Sequence, residues 1–320
     1  MNSAQACPVF RSRLLDWYQR NRRDLPWREN RDPYRIWLSE IMLQQTRVAA
    51  VVDHYGKFLI RFPTNKKLAS ARESSVLAAW SGLGYYRRAR MLHAAGKEIV
   101  KRYAGRFPRT ADELRALPGI GRYTAAAIAS IAFDEPIAVV DGNVERVIER
   151  LVGERLPKKE LWQTAQELLS PRRPGDFNQA MMELGATICL PREPMCLACP
   201  VRGMCATRGE LSRAGKKTRQ KKQIHFALDC HQGAVFLVER PKHASLMPGM
   251  WELPEIPGHN GTAKAWLTLR HSITVTDYLV RVARCPAPQG ICGSWFSHRR
   301  LAKLPLTGLA RKILRAANVI

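Results

Sequence analysis

Leu117-Pro118-Gly119-Ile120-Gly121-Arg122-Tyr123-Thr124-Ala125 is the stretch on which the fold of this chain turns. Glycines at 119 and 121 permit backbone angles with positive φ and remove side-chain bulk. Helical patterns flank it, over 111–117 before and 123–132 after, so the stretch joins two helices. Amide groups at the start of the second helix can then approach a phosphate directly, which makes Gly119, Gly121 and Arg122 candidate phosphate contacts. A plain structural turn is the alternative, because many helix pairs turn on Gly and Pro. An Asp opening a further helix, in Val139-Val140-Asp141-Gly142-Asn143, favours the phosphate reading.

Outward from the hairpin, residues 1–212 read as almost entirely helical. Asp32-Pro33 opens a helix, Asp as N-cap and Pro at the first helical position. Thr46 is expected to cap the next one. Further helices are expected over 74–80, 87–103, 144–151, 159–169 and 177–184. Strand-like runs come only later, at 224–229, 234–239 and 274–283. The expectation is an all-helical first domain, 1–212, and a small α+β second domain, 224–320. Between them 213–223 reads as a linker, since Arg213 to Lys222 carries six positive charges in ten residues and no large apolar side chain. It is a solvated hinge, or it also tracks a phosphate backbone.

The 320 residues carry 52 Lys plus Arg against 27 Asp plus Glu, a formal net charge of +25. A surplus of that size points to a polyanionic partner, nucleic acid first. It is uneven: residues 213–320 hold 18 basic and 5 acidic side chains, about half the net charge in a third of the length. The longest nearly apolar run, 123–133, is too short to span a bilayer, which takes roughly 20 residues. The first seven residues have neither the basic start nor the apolar core of a signal peptide. A soluble, cytoplasmic protein is expected.

Four of the eight cysteines fall in the pattern Cys189-x6-Cys196-x2-Cys199-x5-Cys205. Such a loop suits zinc or a [4Fe-4S] cluster. Only Cys196 and Cys199 have the knuckle spacing that zinc sites usually repeat, so the uneven spacing favours the cluster. Arg192 and Arg202 on the same loop could present positive charge to DNA.

Six motifs now stand in one order: Leu25-Pro26-Trp27-Arg28, Trp37 to Thr46 (WLSEIMLQQT), Gly82-Leu83-Gly84-Tyr85-Tyr86, the 117–125 hairpin, 139–143 and the four cysteines. Together they resemble the helix-hairpin-helix DNA glycosylases of the endonuclease III superfamily, and within it the adenine-excising, MutY-type branch. The resemblance covers about residues 10–210 strongly and the rest in patches. It implies a monomer that acts on double-stranded DNA bearing A:8-oxoguanine or A:G mispairs.

Breaking a purine N-glycosidic bond needs a proton on the leaving base and stabilisation of a cationic sugar. A carboxylic acid and a carboxylate divide that labour. Glu40 and Asp141 are the candidates, and an apolar setting among Ile36, Trp37, Ile41 and Leu43 would raise the pKa of Glu40. The resemblance implies that Glu40 protonates N7 of adenine, that Asp141 stabilises the oxocarbenium ion, and that Asn143 orients Asp141. Bifunctional relatives carry a lysine nucleophile where this chain has Tyr123, so strand cleavage is expected to be inefficient. The flipped base leaves a gap; by resemblance Gln45 and Tyr85 act beside the partner base, with Leu43 and Tyr86 nearby and Thr46 among the DNA contacts, while Arg28 supports the adenine pocket. Arg87, Arg88 and Arg90 are candidate phosphate contacts.

Leu246-Met247-Pro248-Gly249-Met250-Trp251-Glu252-Leu253-Pro254 resembles the family's Nudix-like C-terminal domain, which inspects 8-oxoguanine. Only one Glu, Glu255, falls within 254–320, so Nudix hydrolysis is not expected. The family's His-x-Phe-Ser/Thr-His motif is altered here: His271 and Thr274 match, but Ile273 and Val275 replace Phe and His. Weaker discrimination of 8-oxoguanine from guanine is the expectation. Two alternatives stay open, a mismatch thymine or oxidised-pyrimidine glycosylase of the same superfamily and a non-catalytic iron-sulfur DNA-binding protein.

Overall fold

A computed structural model describes residues 3–211, 220–244, 246–257, 265–273 and 276–320. The chain divides into two compact units: residues 1–69 with 94–214, and residues 70–93 with 215–320. No helix among the described residues is long and apolar enough to cross a membrane.

In the first unit α1 (Ser3–Asn21), α2 (Pro33–Leu43), α3 (Val48–Arg61) and α4 (Asn65–Ser70) come first. Asp32 caps α2 as expected, its carboxylate accepting from the Tyr34 amide at 2.8 Å. Thr46 does not cap α3. The cap position is Arg47, with no side-chain bond, because the Thr46 hydroxyl turns back to the Gln44 carbonyl. After α5 (Glu73–Ala79) and α6 (Arg87–Tyr103), the first unit continues with α7 (Ala111–Arg115), α8 (Arg122–Phe133), α9 (Gly142–Val152), α10 (Lys158–Leu168) and α11 (Pro174–Thr187).

α8 is buried from Thr124 to Ile131 and apolar nearly all round, which suits a central helix. Its alanines let α2, α7 and α11 pack closely on it. A second core joins Phe10, Leu14 and Tyr18 of α1 to Val147 and Ile148 of α9, Leu161 of α10 and Phe177 and Met181 of α11.

The second unit has two sheets. β1 (Gln220–Ala227) lies parallel to β6 (Thr276–Ala283), which pairs antiparallel with β5 (Leu267–Ile273). β2 (Cys230–His231), β3 (Ala234–Glu239), β4 (Trp251–Glu252) and β7 (Ser294–Ser297) form the other, with β3 central. The short α12 (His298–Leu301) and α13 (Gly308–Ala316) cover them, α13 burying Leu309, Ile313 and Leu314. Gln220 to Gln223, expected as the end of a linker, begin β1 instead, because each pairs in register with β6; 212–219 lie outside the described residues. Of the expected strand 274–283, Thr276–Ala283 form β6, 274 and 275 lie outside the described residues, and His271 to Ile273 belong to β5, paired with Tyr278 to Thr276.

Residues 70–93, read from the sequence as part of the helical domain, group with the C-terminal residues. The reason is polar as well as apolar. The buried Tyr86 hydroxyl donates to the Leu306 carbonyl at 2.7 Å, and Arg311 donates to the Ser81 hydroxyl at 3.0 Å.

Candidate active site and cysteine loop

α2 carries Glu40 into the interior, within a run, Ile36–Met42, that is buried throughout. Tyr123, in the first turn of α8, donates its hydroxyl to Glu40 Oε2 at 2.6 Å. Burial pushes the Glu40 carboxyl up to about 7; the Asp141 charge adds to this, while the Tyr123 hydrogen bond and Arg28 oppose it. Burial likewise raises the Tyr123 phenol well above 10, with the two carboxylates adding to the effect. Tyr123 is therefore a fixed hydrogen-bond donor.

Asp141 is the N-cap of α9. Its Oδ1 accepts from the amides of Asn143 at 2.9 Å and Val144 at 2.8 Å, and its Oδ2 from Asn143 Nδ2 at 3.0 Å. Burial raises its pKa against those donors and the nearby Arg146 cation. The two acids thus sit in different settings: Glu40 accepts one hydrogen bond in an apolar wall, whereas Asp141 accepts three and is held as a carboxylate would be.

Glu40, Asp141, Asn143 and Tyr123 line one cavity of about 560 Å³, together with Arg28, Leu43, Gln45 and Thr46. Eight residues singled out from the sequence therefore converge. Gln45 is exposed and left-handed, with φ of 55°. Among the described residues no lysine lines the cavity.

Sequence reasoning missed Glu183 on α11. Its side chain is fully buried and accepts from Arg28 Nη2 at 2.8 Å and from Arg23 Nε at 2.7 Å. Burial alone would raise its pKa, but the hydrogen bonds from Arg23 and Arg28 overcome this and hold it at about 2. Arg28 is thereby pinned in the cavity wall. A lone acid within the helical run 177–184, among Phe177, Ala180, Met181 and Leu184, was the available signal.

The hairpin closes with a bond from the Ile120 amide to the Leu117 carbonyl, and Gly119 sits at φ of 73°. Gly121 is an uncapped N-cap of α8 with open space where a Cβ would stand. Amides there are free to meet an anion from outside. Arg122 does not extend from the hairpin: its guanidinium lies 3.8 Å from the centre of the Trp162 ring.

Tyr85, Tyr86 and Arg88 belong to the other unit. Two of them depart from expectation. Tyr86 is 1% exposed, a core aromatic anchored on Leu306, and reaches no outside partner. Arg88 turns its guanidinium inward to the carbonyls of Leu83 and Gly84 rather than out towards a phosphate, and burial lowers its pKa to about 10. Tyr85 is 42% exposed. His271 lies half-buried on β5, where burial and Lys312 lower its pKa. Thr274 lies outside the described residues.

All four cysteines, Cys189, Cys196, Cys199 and Cys205, line one small cavity with Arg150 and Arg202. Arg150 of α9 donates to Cys189 Sγ at 3.3 Å and to the Leu190 carbonyl at 2.7 Å. Burial raises Cys199 to about 11, and the other three thiols add to it. Among the described residues no three His, Cys, Asp or Glu side chains are gathered as one metal ion requires. Arg146 ties the loop to the acid pair: it donates to the Cys189 carbonyl at 2.7 Å, to Gly185 at 2.6 Å and to Asn143 Oδ1 at 2.9 Å.

Residues 38–171 match the HhH-GPD superfamily of base excision DNA repair proteins. An adenine DNA glycosylase of Mus musculus is 49% identical over 224 residues, which are 64% of this chain and 44% of that protein. One of Buchnera aphidicola subsp. Acyrthosiphon pisum is 37% identical over 242 residues, 72% of this chain and 69% of that protein. Among solved structures, a thermostable thymine-DNA glycosylase aligns with a TM-score of 0.61 at 33% identity, over 65% of this chain and 99% of that one. The chain spans under half the length of the mammalian relatives it matches.

Proposed function

The chain belongs to the HhH-GPD superfamily of base excision DNA repair proteins, and from that premise we propose that it is an adenine DNA glycosylase. It would hydrolyse the N-glycosidic bond of adenine mispaired with 8-oxoguanine or guanine in double-stranded DNA. The observation that carries this reading is the pairing of a neutral-range Glu40 with a hydrogen-bonded Asp141 in one cavity.

In this reading protonated Glu40 gives its proton to N7 of adenine. The bond to the sugar breaks and its electrons leave with the base. The Asp141 carboxylate, held by Asn143, stabilises the cationic sugar. Water adds its hydroxyl to the sugar and passes a proton to a carboxylate, which restores the acid. Tyr123, a phenol locked on Glu40, offers no amine for a Schiff base, so base removal proceeds without strand cleavage.

Cys189, Cys196, Cys199 and Cys205 fit a [4Fe-4S] cluster, with Arg150 beside Cys189 as a charge partner. When bound, the cluster would cross-link the loop 189–205. Iron and sulfide content of the purified protein tests this directly.

The deciding assay incubates the protein with duplexes bearing A:8-oxoguanine, A:G, T:G and thymine glycol, with and without alkali. Cleavage of only the adenine strand, and only after alkali, is the expected result. Thymine release is the second reading, favoured by the likeness to a thymine-DNA glycosylase. No cleavage of any duplex leaves a DNA-binding role alone. Because Ile273 and Val275 stand where the family pattern has Phe and His, the rate ratio of A:8-oxoguanine to A:G is expected to be lower than in relatives that keep both. An undiminished ratio excludes a role for those two positions.

A further inference from the structure

The loop Gly82–Tyr86 holds three left-handed residues within four positions: Gly82 at φ of 109°, Gly84 at 69° and Tyr85 at 48°. Glycine adopts that region freely, but a tyrosine does so only where its surroundings hold it. The loop presents its two aromatic side chains differently. Tyr86 is the anchor, buried and bonded to Leu306. Tyr85 is left 42% exposed. Something must therefore hold an exposed ring on a strained backbone in one place.

Arg88 is built for that. Its Cζ lies 5.5 Å from the centre of the Trp80 ring and 5.4 Å from that of Tyr85, so the guanidinium faces both rings. Its Nη2 donates to the carbonyls of Leu83, at 3.1 Å, and Gly84, at 3.2 Å, and the Trp80 indole NH donates to the same Gly84 carbonyl at 3.1 Å. A flat cation with a fork of donors can stack on rings and bind two carbonyls at once; an ammonium cannot.

We propose that Arg88 is a positioning residue, which holds the Tyr85 ring ready to stack into DNA and makes no phosphate contact itself. The proposal rests on the reading of this protein as a mispair-specific glycosylase whose Tyr85 enters the base stack. A wedge fixed before binding loses little freedom on insertion, and that is where Arg88 acts.

The test measures binding of the whole protein to an A:G duplex for wild type, Arg88→Lys, Arg88→Gln, Tyr85→Ala and the double variant Tyr85→Ala/Arg88→Gln. Only variants whose thermal unfolding stays cooperative are scored, and Arg88→Lys serves where Arg88→Gln does not fold. Both Arg88 variants are expected to weaken binding about tenfold, and the double variant to bind no worse than Tyr85→Ala. The slope of affinity against salt concentration is expected to match wild type, since no phosphate contact is lost. A 2-aminopurine beside the mispair should brighten less with Arg88→Lys than with wild type, as less unstacking occurs.

Wild-type binding by Arg88→Lys would show that charge alone suffices and overturn the proposal. So would a salt slope reduced by about one contact, or fully additive losses in the double variant. If Tyr85→Ala binds like wild type, the wedge reading fails and takes the proposal with it. If none of the duplexes loses adenine while Tyr85 and Arg88 remain coupled, the glycosylase reading fails and the positioning role stands.

Discussion

Burial of Glu40 serves chemistry at the expense of the fold, and both sides can be measured. Its carboxyl is carried from the usual 4.5 to about 7. A proton is then available to a leaving base near neutrality, so excision rates are expected to fall tenfold per pH unit above about pH 7, and to fall again in acid, where Asp141 becomes protonated. A flat profile up to pH 9 would remove Glu40 from the acid role. The same shift has the opposite sign for stability. Below about pH 4.5 the group is protonated folded or unfolded and costs nothing; as pH rises to 7 the unfolded chain ionises it freely while the folded chain resists, and above 7 the buried charge costs the full difference, roughly 3 kcal/mol. Glu40→Gln is therefore expected to abolish excision while raising the urea midpoint at pH 8, with almost no gain at pH 4. A lower midpoint at pH 8 would mean that the Gln side chain fits the wall worse than the charge does. Asp141 contrasts with it, because asparagine caps a helix about as well as aspartate. Asp141→Asn should stay within about 1 kcal/mol of wild-type stability yet lose excision by a hundredfold or more, read in single-turnover assays.

Asp141 at the N-cap of α9 is placed by the packing of α9 on α11, and one position of α11 sets how closely the two helices approach. A Cβ at Gly185 of α11 would stand 2.7 Å from Asn143 Cβ and 2.9 Å from the Asn143 carbonyl oxygen, and backbone yields little. Gly185→Ala is expected to cost about 1–3 kcal/mol and to slow excision, since Asn143 orients Asp141 from that contact; wild-type rates would show that α9 can shift without disturbing its N-cap. Most of these elements were readable in advance. The helices from 87 to 184 carry 3.6-residue apolar spacing with Gly and Pro at the joins, and Asp32-Pro33 announced α2 correctly. What escaped was long-range. Glu183 reads as an ordinary helix acid until Arg23 and Arg28, some 155 to 160 positions earlier, are folded against it. Arg88 reads as a surface cation until its own loop folds back over it. The strand β5 is half polar and is fixed by pairing with β6, which local pattern does not encode. The local pattern does not mark α1, because Pro8 and scattered arginines interrupt an otherwise amphipathic run.

At the scale of the whole molecule, the net charge of +25 predicts DNA binding that weakens steeply with salt, while the division of the chain predicts where the fold is coupled. Residues 70–93 have their polar partners in the C-terminal portion: Tyr86 on Leu306, Ser81 on Arg311, and Arg90 on the Pro248 carbonyl. A chain ending at Ala214 keeps every residue of the acid-pair cavity but leaves those groups without their partners and the surface around Tyr86 uncovered. A lost buried hydrogen bond costs on the order of 1 kcal/mol, and several such losses fall on one short segment. Local opening of α5 and the first turns of α6 should therefore become easy while the rest of the helical unit stays closed. In the truncated chain, amide hydrogen exchange over 70–93 is expected to accelerate at least tenfold, with protection in α8 and α11 unchanged. The Tyr85 ring, which depends on that segment, should lose its contribution to mispair binding at the same time, so Tyr85→Ala would cost little in the truncated chain and much in the full one. Equal protection of 70–93 in both chains would show that the segment needs nothing from residues 215–320.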